Sequence, residues 1–404
     1  MRDTDLLVVG AGPFGLAIAA EAGHHQTPYV VVGRPMGFWR TRMPAGMLLR
    51  SASDWHLDVQ GVATIEAFLA TRGLTAEQAE PLSRELYLDY CDWFADQKGI
   101  AATPALVQRL DRTDRGFRAT LDDGSALTAR AVALALGMDP HRRLPGDLIA
   151  MLPPESWRHT CDATDLAAAA GRRVLIVGGR QSAFEWAALL AEAGARSVDV
   201  VHRHDSPAFA EADWSWVMPL VDRLAGEPGW FHELSGAERQ GHRDRMWGEG
   251  RLKVEPWLAD RLPADRVRIR PRTRLRACAR LADGSLAVTL DDGTEVVVDE
   301  VVLATGYEPR VDDLTFLRAG NLPPLAQQDG FPVLDDGFQT SVPGLYVTSL
   351  PATAHFGPFF GFTIAARMSA AVLTRAVRVH LGETATDVRD IPVPRAVPEP
   401  AVDG

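Results

Sequence analysis

Asp5-Leu6-Leu7-Val8-Val9-Gly10-Ala11-Gly12-Pro13-Phe14-Gly15-Leu16-Ala17-Ile18-Ala19-Ala20 stands at the head of the chain, and its reading decides the fold. The apolar run up to Val9 suits a buried parallel strand, and the small apolar residues after Gly15 suit a helix lying close on a sheet. Between them sits G-x-G-x-x-G. Gly10 allows the tight turn, Gly12 has no Cβ and lets backbone approach a pyrophosphate, and Gly15 permits close helix–strand packing. Pro13 and Phe14 fill the turn between these glycines. The free N–H groups and positive dipole end of the helix then face phosphates. In this strand–turn–helix context the motif predicts dinucleotide binding; a glycine turn in another α/β protein is the plainer alternative.

The pattern returns. Arg173-Val174-Leu175-Ile176-Val177 leads into Gly178-Gly179-Arg180-Gln181-Ser182-Ala183, a helix from Phe184 to Ala193 and the strand Ser197–Val201. Each copy is followed by a hairpin with a D-G turn, at Asp123-Gly124 and Asp292-Gly293, and by a buried strand ending in glycine, at Gly137 and at Thr305-Gly306. A duplicated architecture says more than either fingerprint alone. Between the halves, Ser206 to Leu262 is helical in tendency and holds five of the ten tryptophans. They form the insertion's own core or wall an apolar substrate cavity, with Trp214 and Trp216 as contact candidates. Trp55, in Asp54-Trp55-His56-Leu57-Asp58, is placed at the border of the same cavity.

The chain has 404 residues and a net charge of −11, with 46% hydrophobic and 24% charged residues. That length suits two or three domains, and the acidic balance argues against nucleic acid as a partner. The chain enters a core strand at once and has no apolar run of roughly 20 residues, so a cytoplasmic protein without membrane contact is expected. Cys91, Cys161 and Cys278 are far apart, which disfavours a disulfide framework, a metal knuckle or a C-x-x-C redox pair. From residue 383 to 404 the proline-rich, charged sequence predicts a disordered tail.

Two departures stand out. The second strand, Tyr29–Val32, ends in Gly33-Arg34-Pro35, where an acidic ribose ligand is usual. Arg34 lies along the adenine or a phosphate, or is a plain surface arginine. In the second copy Arg180 replaces a glycine, so its side chain either swings away or sets its guanidinium on the phosphates. The stretch Met36 to Ser51 is apolar and cationic without a clear period, so it packs on something, a flat cofactor or an ordinary core.

These units resemble the two-dinucleotide-binding-domain flavoproteins, and among them the class B flavin monooxygenases and N-hydroxylating enzymes. Trp157-Arg158-His159-Thr160 is similar to the end of that group's F-x-G-x-x-x-H signature, although the Phe and Gly are missing, and Ala304-Thr305-Gly306-Tyr307 resembles its A-T-G-Y strand end. The resemblance extends to about Leu381. It implies an α/β fold of two Rossmann-like domains: an FAD-binding domain at 1–168 and 318–382, and an NAD(P)-binding domain at 169–317 carrying the helical insertion 206–262. FAD contacts would come from Gly10, Gly12, Pro13, Phe14, Gly15, Arg34, Val107 at the adenine, Trp39, Met47, Arg50 and Ser51 over the ring, Gly137, and a helix starting near Phe362. Nicotinamide contacts would come from Gly178, Gly179, Arg180, Gln181, Ser182, Thr305, Gly306 and Arg203. Arg203 suits a 2′-phosphate and so NADPH, with NADH possible if it is only a surface residue. The implied activity is a monooxygenase acting with O2 through a C4a-peroxyflavin on a small-molecule substrate, without a metal. An NAD(P)H-dependent flavin reductase or a non-catalytic FAD-binding redox sensor are the alternatives. His355, Ser349, His56 and His159 are candidate acid–base groups, although a lone histidine is more often structural.

Overall fold

The computed structural model describes residues 2–383, so the tail expected to be disordered lies, Glu383 apart, outside the described residues. The opening strand is β1 (Arg2–Val9), followed by α1 (Pro13–His24) and β2 (Tyr29–Val32). Four more strands run in parallel with these or join through a meander: β3 (Ala102–Thr103), β4 (Val107–Thr113), β5 (Gly116–Leu121) and β6 (Ala126–Leu134) complete the order β3-β2-β1-β6-β5-β4. The strand Leu345–Val347 returns from the far end of the chain to pair parallel with Val132–Leu134.

Here the structure corrects the hairpin. Ala126–Ala129 and Val132–Leu134 are one strand, whose first half pairs antiparallel with β5 and whose second half pairs parallel with Leu345–Val347. The partner changes along a continuous backbone, which is why the pattern reads as two elements. β4 escapes the sequence reading because it is an edge strand, Val107-Gln108-Arg109-Leu110-Asp111-Arg112-Thr113, with only Leu110 buried.

The second sheet is fully parallel. It holds β7 (Trp157–His159), β8 (Arg173–Val177), β9 (Ser197–Val201) and the strands Val267–Arg270 and Glu300–Leu303, in the order Val267–Arg270, β9, β8, Glu300–Leu303, β7. β7 thus joins the second sheet although it precedes residue 168. An antiparallel meander, Leu275–Arg280, Leu286–Leu290 and Glu295–Val298, packs beside it. Here the meander and the sheet strand are separate, broken at Asp299, whose carboxylate takes the backbone N–H of Arg173 at 2.7 Å and its guanidinium at 2.5 Å.

The insertion is helical, with helices Val217–Arg223, Trp230–Glu233 and Gly236–Arg251 and a 3₁₀ stretch Pro256–Arg261. The last helix begins later than expected, at Ala366. Pro358–Gly361 and Thr363–Ala365 form 3₁₀ turns first, consistent with Pro358 and the glycines Gly357 and Gly361 breaking the chain there. That helix holds the insertion to the first half. Arg367, 5% exposed, donates to Asp222 at 2.7 Å and lies 2.9 Å from the Met218 sulfur. Among the described residues no helix is long and apolar enough to cross a membrane.

Removing Asp222 leaves a buried guanidinium without its counter-charge. Asp222→Ala is expected to cost about 2–3 kcal/mol in urea unfolding and to speed proteolysis within 206–262; Asp222→Asn, which keeps the acceptor, loses less.

Candidate functional site

The carboxyl ends of the strands in both sheets open on one cavity of about 1220 Å³, the location at which α/β folds bind ligands. Both fingerprints line it, Gly10 to Phe14 from one side and Gly178 to Ser182 from the other.

The glycines divide their tasks as steric rules require. A Cβ on Gly10, whose φ is +117°, would lie 2.2 Å from the Ala135 carbonyl oxygen, and one on Gly15 would lie 1.9 Å from that of Gly10. Gly15 is therefore a packing residue beneath the turn, off the cavity wall. A Cβ on Gly12 meets nothing within 4 Å, so the space it would fill is open to a ligand. Gly12 also caps α1, with Pro13 beginning the helix. A diphosphate fits this cradle of free helical N–H groups and absent side chains.

The loop after β2 lines the same cavity. Trp39, Met47, Arg50 and Ser51 are on its wall, with Arg34 at one end and Val107 and Gly137 nearby. Four tethers fix the loop. Arg84 donates to the Trp39 carbonyl at 2.8 Å, and Leu48 N–H donates to Glu185 at 2.9 Å. Arg50 pairs with Glu255 of the insertion at 2.6 Å, and the Ser51 and Thr363 hydroxyls are 3.1 Å apart. Phe362 also lines the wall, in the turn that precedes the last helix. Ser349 is there too, held at φ +66°, a conformation that is unfavourable for a residue with a side chain.

On the other side, Thr305, Gly306 and Arg203 line the cavity. A Cβ on Gly178 would strike the Ala304 carbonyl oxygen at 2.4 Å, and one on Gly179 would strike the His202 ring at 2.4 Å. In this copy the glycines serve packing.

Three histidine candidates and three tryptophans lie off the cavity wall. His56 is buried beside Arg367, and burial with that neighbouring charge lowers its pKa to about 4. His159 Nδ1 accepts from the Cys161 N–H and its Nε2 lies 3.2 Å from the Gly306 carbonyl oxygen, so it locks a strand end. His355 binds Asp336 at 3.1 Å and stacks on His232. Each of the three is held by partners within the protein. Trp55 and Trp214 pack edge to face behind the wall, Trp214 against Phe362, while Trp216 stacks on His242 in the insertion's own core. Large apolar rings bury more surface against one another than against a solvated cleft, and that decides their place.

Sequence reasoning missed Glu185, His202, Trp247, Arg251 and Arg274, all on the wall. Glu185 carried a signal, a carboxylate on the apolar helix Phe184–Leu190. It is 1% exposed, and burial raises its pKa to about 7.

These features belong to a recognisable class, the two-unit flavoproteins. Residues 7–225 and 242–349 match family descriptions that both read "Pyridine nucleotide-disulphide oxidoreductase", and the chain belongs to that family. It is an FAD-dependent oxidoreductase that uses a pyridine nucleotide. Among relatives, it is 32% identical over 211 residues to a ferredoxin–NADP reductase of Nocardioides sp., covering 50% of this chain and 56% of that one. To the ferredoxin–NADP reductase of Thermus thermophilus it is 26% identical over 94% of this chain and 96% of that one. The ornithine hydroxylase of Pseudomonas aeruginosa has the same fold, with a TM-score of 0.74 and 18% identity over 94% of this chain and 100% of that one.

Two outcomes test the cradle and the buried acid. Gly12→Val is expected to fold with an unchanged melting temperature for the cofactor-free protein but to retain less than about a tenth of the flavin, as read from visible absorbance, because its side chain points into open space. Gly15→Ala instead destabilises the fold itself. For Glu185, the folded pKa lies above the ordinary 4.5. Its contribution to stability is thus full below pH 4.5 and is lost as the pH rises through about 7, on the order of 3 kcal/mol. Denaturant unfolding of Glu185→Gln at pH 5 and pH 8 should show a smaller loss with rising pH than the parent.

Proposed function

We propose that the protein is an FAD-dependent monooxygenase that consumes NADPH and O2 and oxygenates a soft nucleophile, an amine or sulfide, in a small organic substrate. Bound FAD supplies hydride acceptance and oxygen transfer. The chain supplies binding, orientation and exclusion of water. The Gly10–Gly15 turn with the α1 N-terminus holds the diphosphate, Val107 meets the adenine, and the tethered Trp39–Ser51 loop covers the ring. Phe362 and Thr363 approach it from the turn before the last helix. Gly178, Gln181 and Ser182 with Arg203 take the nicotinamide dinucleotide, and Arg203 favours a 2′-phosphate. The FAD unit comprises 1–168 and 318–382 and the nicotinamide unit 169–317, with β7 crossing into the second sheet.

The observation that carries this reading is the roof. The insertion reaches the flavin loop through Arg50 and Glu255, with the Arg50 guanidinium also donating to the Gly250 carbonyl at 2.9 Å. Its Trp214 packs on Phe362. Oxygen transfer needs water excluded from the reacting ring, whereas delivery of electrons to a protein needs an accessible edge. None of the three cysteines lines the cavity, so a dithiol relay has no place on its wall. The names of the sequence relatives favour a second reading, a reductase that passes electrons to an acceptor without inserting oxygen.

The purified, FAD-loaded protein under O2 should oxidise NADPH faster than NADH and yield about one oxygenated product per NADPH with a suitable amine; ornithine, named for the Pseudomonas neighbour, is the first to try. Oxidation that depends on an added electron acceptor and ignores O2 would select the reductase reading.

A further inference from the structure

Arg180 stands where the second fingerprint ordinarily has a glycine. Its backbone is extended, with φ −117° and ψ −178°, and it caps the helix Gln181–Glu192. The side chain crosses to the insertion. Its guanidinium lies over the Trp247 indole, 4.2 Å from the ring centroid, and Nη1 donates to the Arg251 carbonyl at 2.6 Å. Trp247 is 50% exposed and is on the cavity wall. One edge of the guanidinium is thus fixed, and its Nε and Nη2 donors make no hydrogen bond among the described residues.

The surroundings call for an anion. Arg203, Arg251 and Arg274 line the same cavity, and among the described residues neither they nor Arg180 has a carboxylate within salt-bridge distance. Burial first, and then the charges of Arg251 and Arg203, lower the pKa of Arg180 to about 10, which leaves it cationic at neutral pH. Guanidiniums without carboxylate partners describe a site for phosphate.

We propose that Arg180, braced by Trp247, is a phosphate anchor for the nicotinamide dinucleotide, supplying from a side chain what the missing glycine supplies through close backbone approach. The insertion thereby becomes part of the cofactor site. A planar cation stacked on an indole is already oriented, so little conformational freedom is lost when the phosphate arrives. This rests on the reading of the second fingerprint as the nicotinamide site.

The test is calorimetric titration of NADP⁺ into the oxidised, FAD-loaded full chain. Arg180→Gly restores the ordinary fingerprint and suits a helix cap. If the side chain only obstructs, this variant binds as tightly as the parent or more tightly, and the proposal falls. If it anchors phosphate, affinity drops about tenfold or more, the dependence on salt becomes shallower, and Arg180→Lys recovers part of the loss. Trp247→Ala, at a half-exposed position where folding is spared, should weaken binding several-fold; unchanged affinity there removes the brace. Failure of the parent to bind either NADP⁺ or NAD⁺ overturns the nicotinamide reading and this proposal with it. Binding by the parent with no loss in Arg180→Gly overturns this proposal alone.

Discussion

Everything in the first half depends on how closely backbone approaches backbone where β1 ends. The turn leaves no room for a Cβ on Gly10 or Gly15, because carbonyl oxygens of Ala135 and Gly10 already occupy those positions. That contact seats α1 against the sheet and turns its N-terminus toward the cavity. The β6 end that supplies Ala135 is also where Leu345–Val347 joins the sheet. The final segment, with Ser349 and the turn at Phe362, therefore reaches the same cavity because the opening turn is tight.

The parts of the fold legible in the sequence are those in which one physical demand dominates. Buried parallel strands are dominated by apolar residues, so β1, β2 and β8 stand out as short hydrophobic runs closed by glycines, and β9 as one closed by His202-Arg203-His204. Edge strands answer to two environments at once. β4 and Leu275–Arg280 mix arginine with small or acidic residues and each fully bury only a leucine, so their pattern merges with that of a loop. Val267–Arg270 is hidden in the same way by its two arginines. The continuous β6 was obscured because pairing is a property of neighbours, and no local pattern reports a change of partner.

The site divides along a similar line. Glycine positions were legible because sterics tie each to a conformation or a close approach. Side chains whose place depends on distant segments were not. Trp214 and Trp216 attract attention as large rings, yet they settle behind the wall, while Trp247, from the same insertion, reaches it. Arg180 meets Trp247 and Arg251 some seventy positions along the chain, a contact that spacing cannot reveal. The insertion draws these together. It is held to the last helix by Arg367 and Asp222, to the flavin loop by Arg50 and Glu255, and to the second fingerprint by the Glu255 N–H, which donates to Gln181 at 3.0 Å.

The distribution of arginine has a consequence for how the molecule meets its ligands. Nine arginines and four carboxylic acids line the cavity of a chain whose net charge is −11, so the exterior is more acidic than that figure conveys. A dinucleotide is itself an anion and is repelled by the outer surface. At physiological ionic strength the screening length is about 8 Å, shorter than the breadth of the protein. The exterior charge is thus largely muffled by counterions, while the guanidiniums at the wall act at contact distance. The protein behaves as an acidic shell around a basic lumen. Salt ions that quiet the shell make room for the anion to enter, and the same ions compete with it once inside.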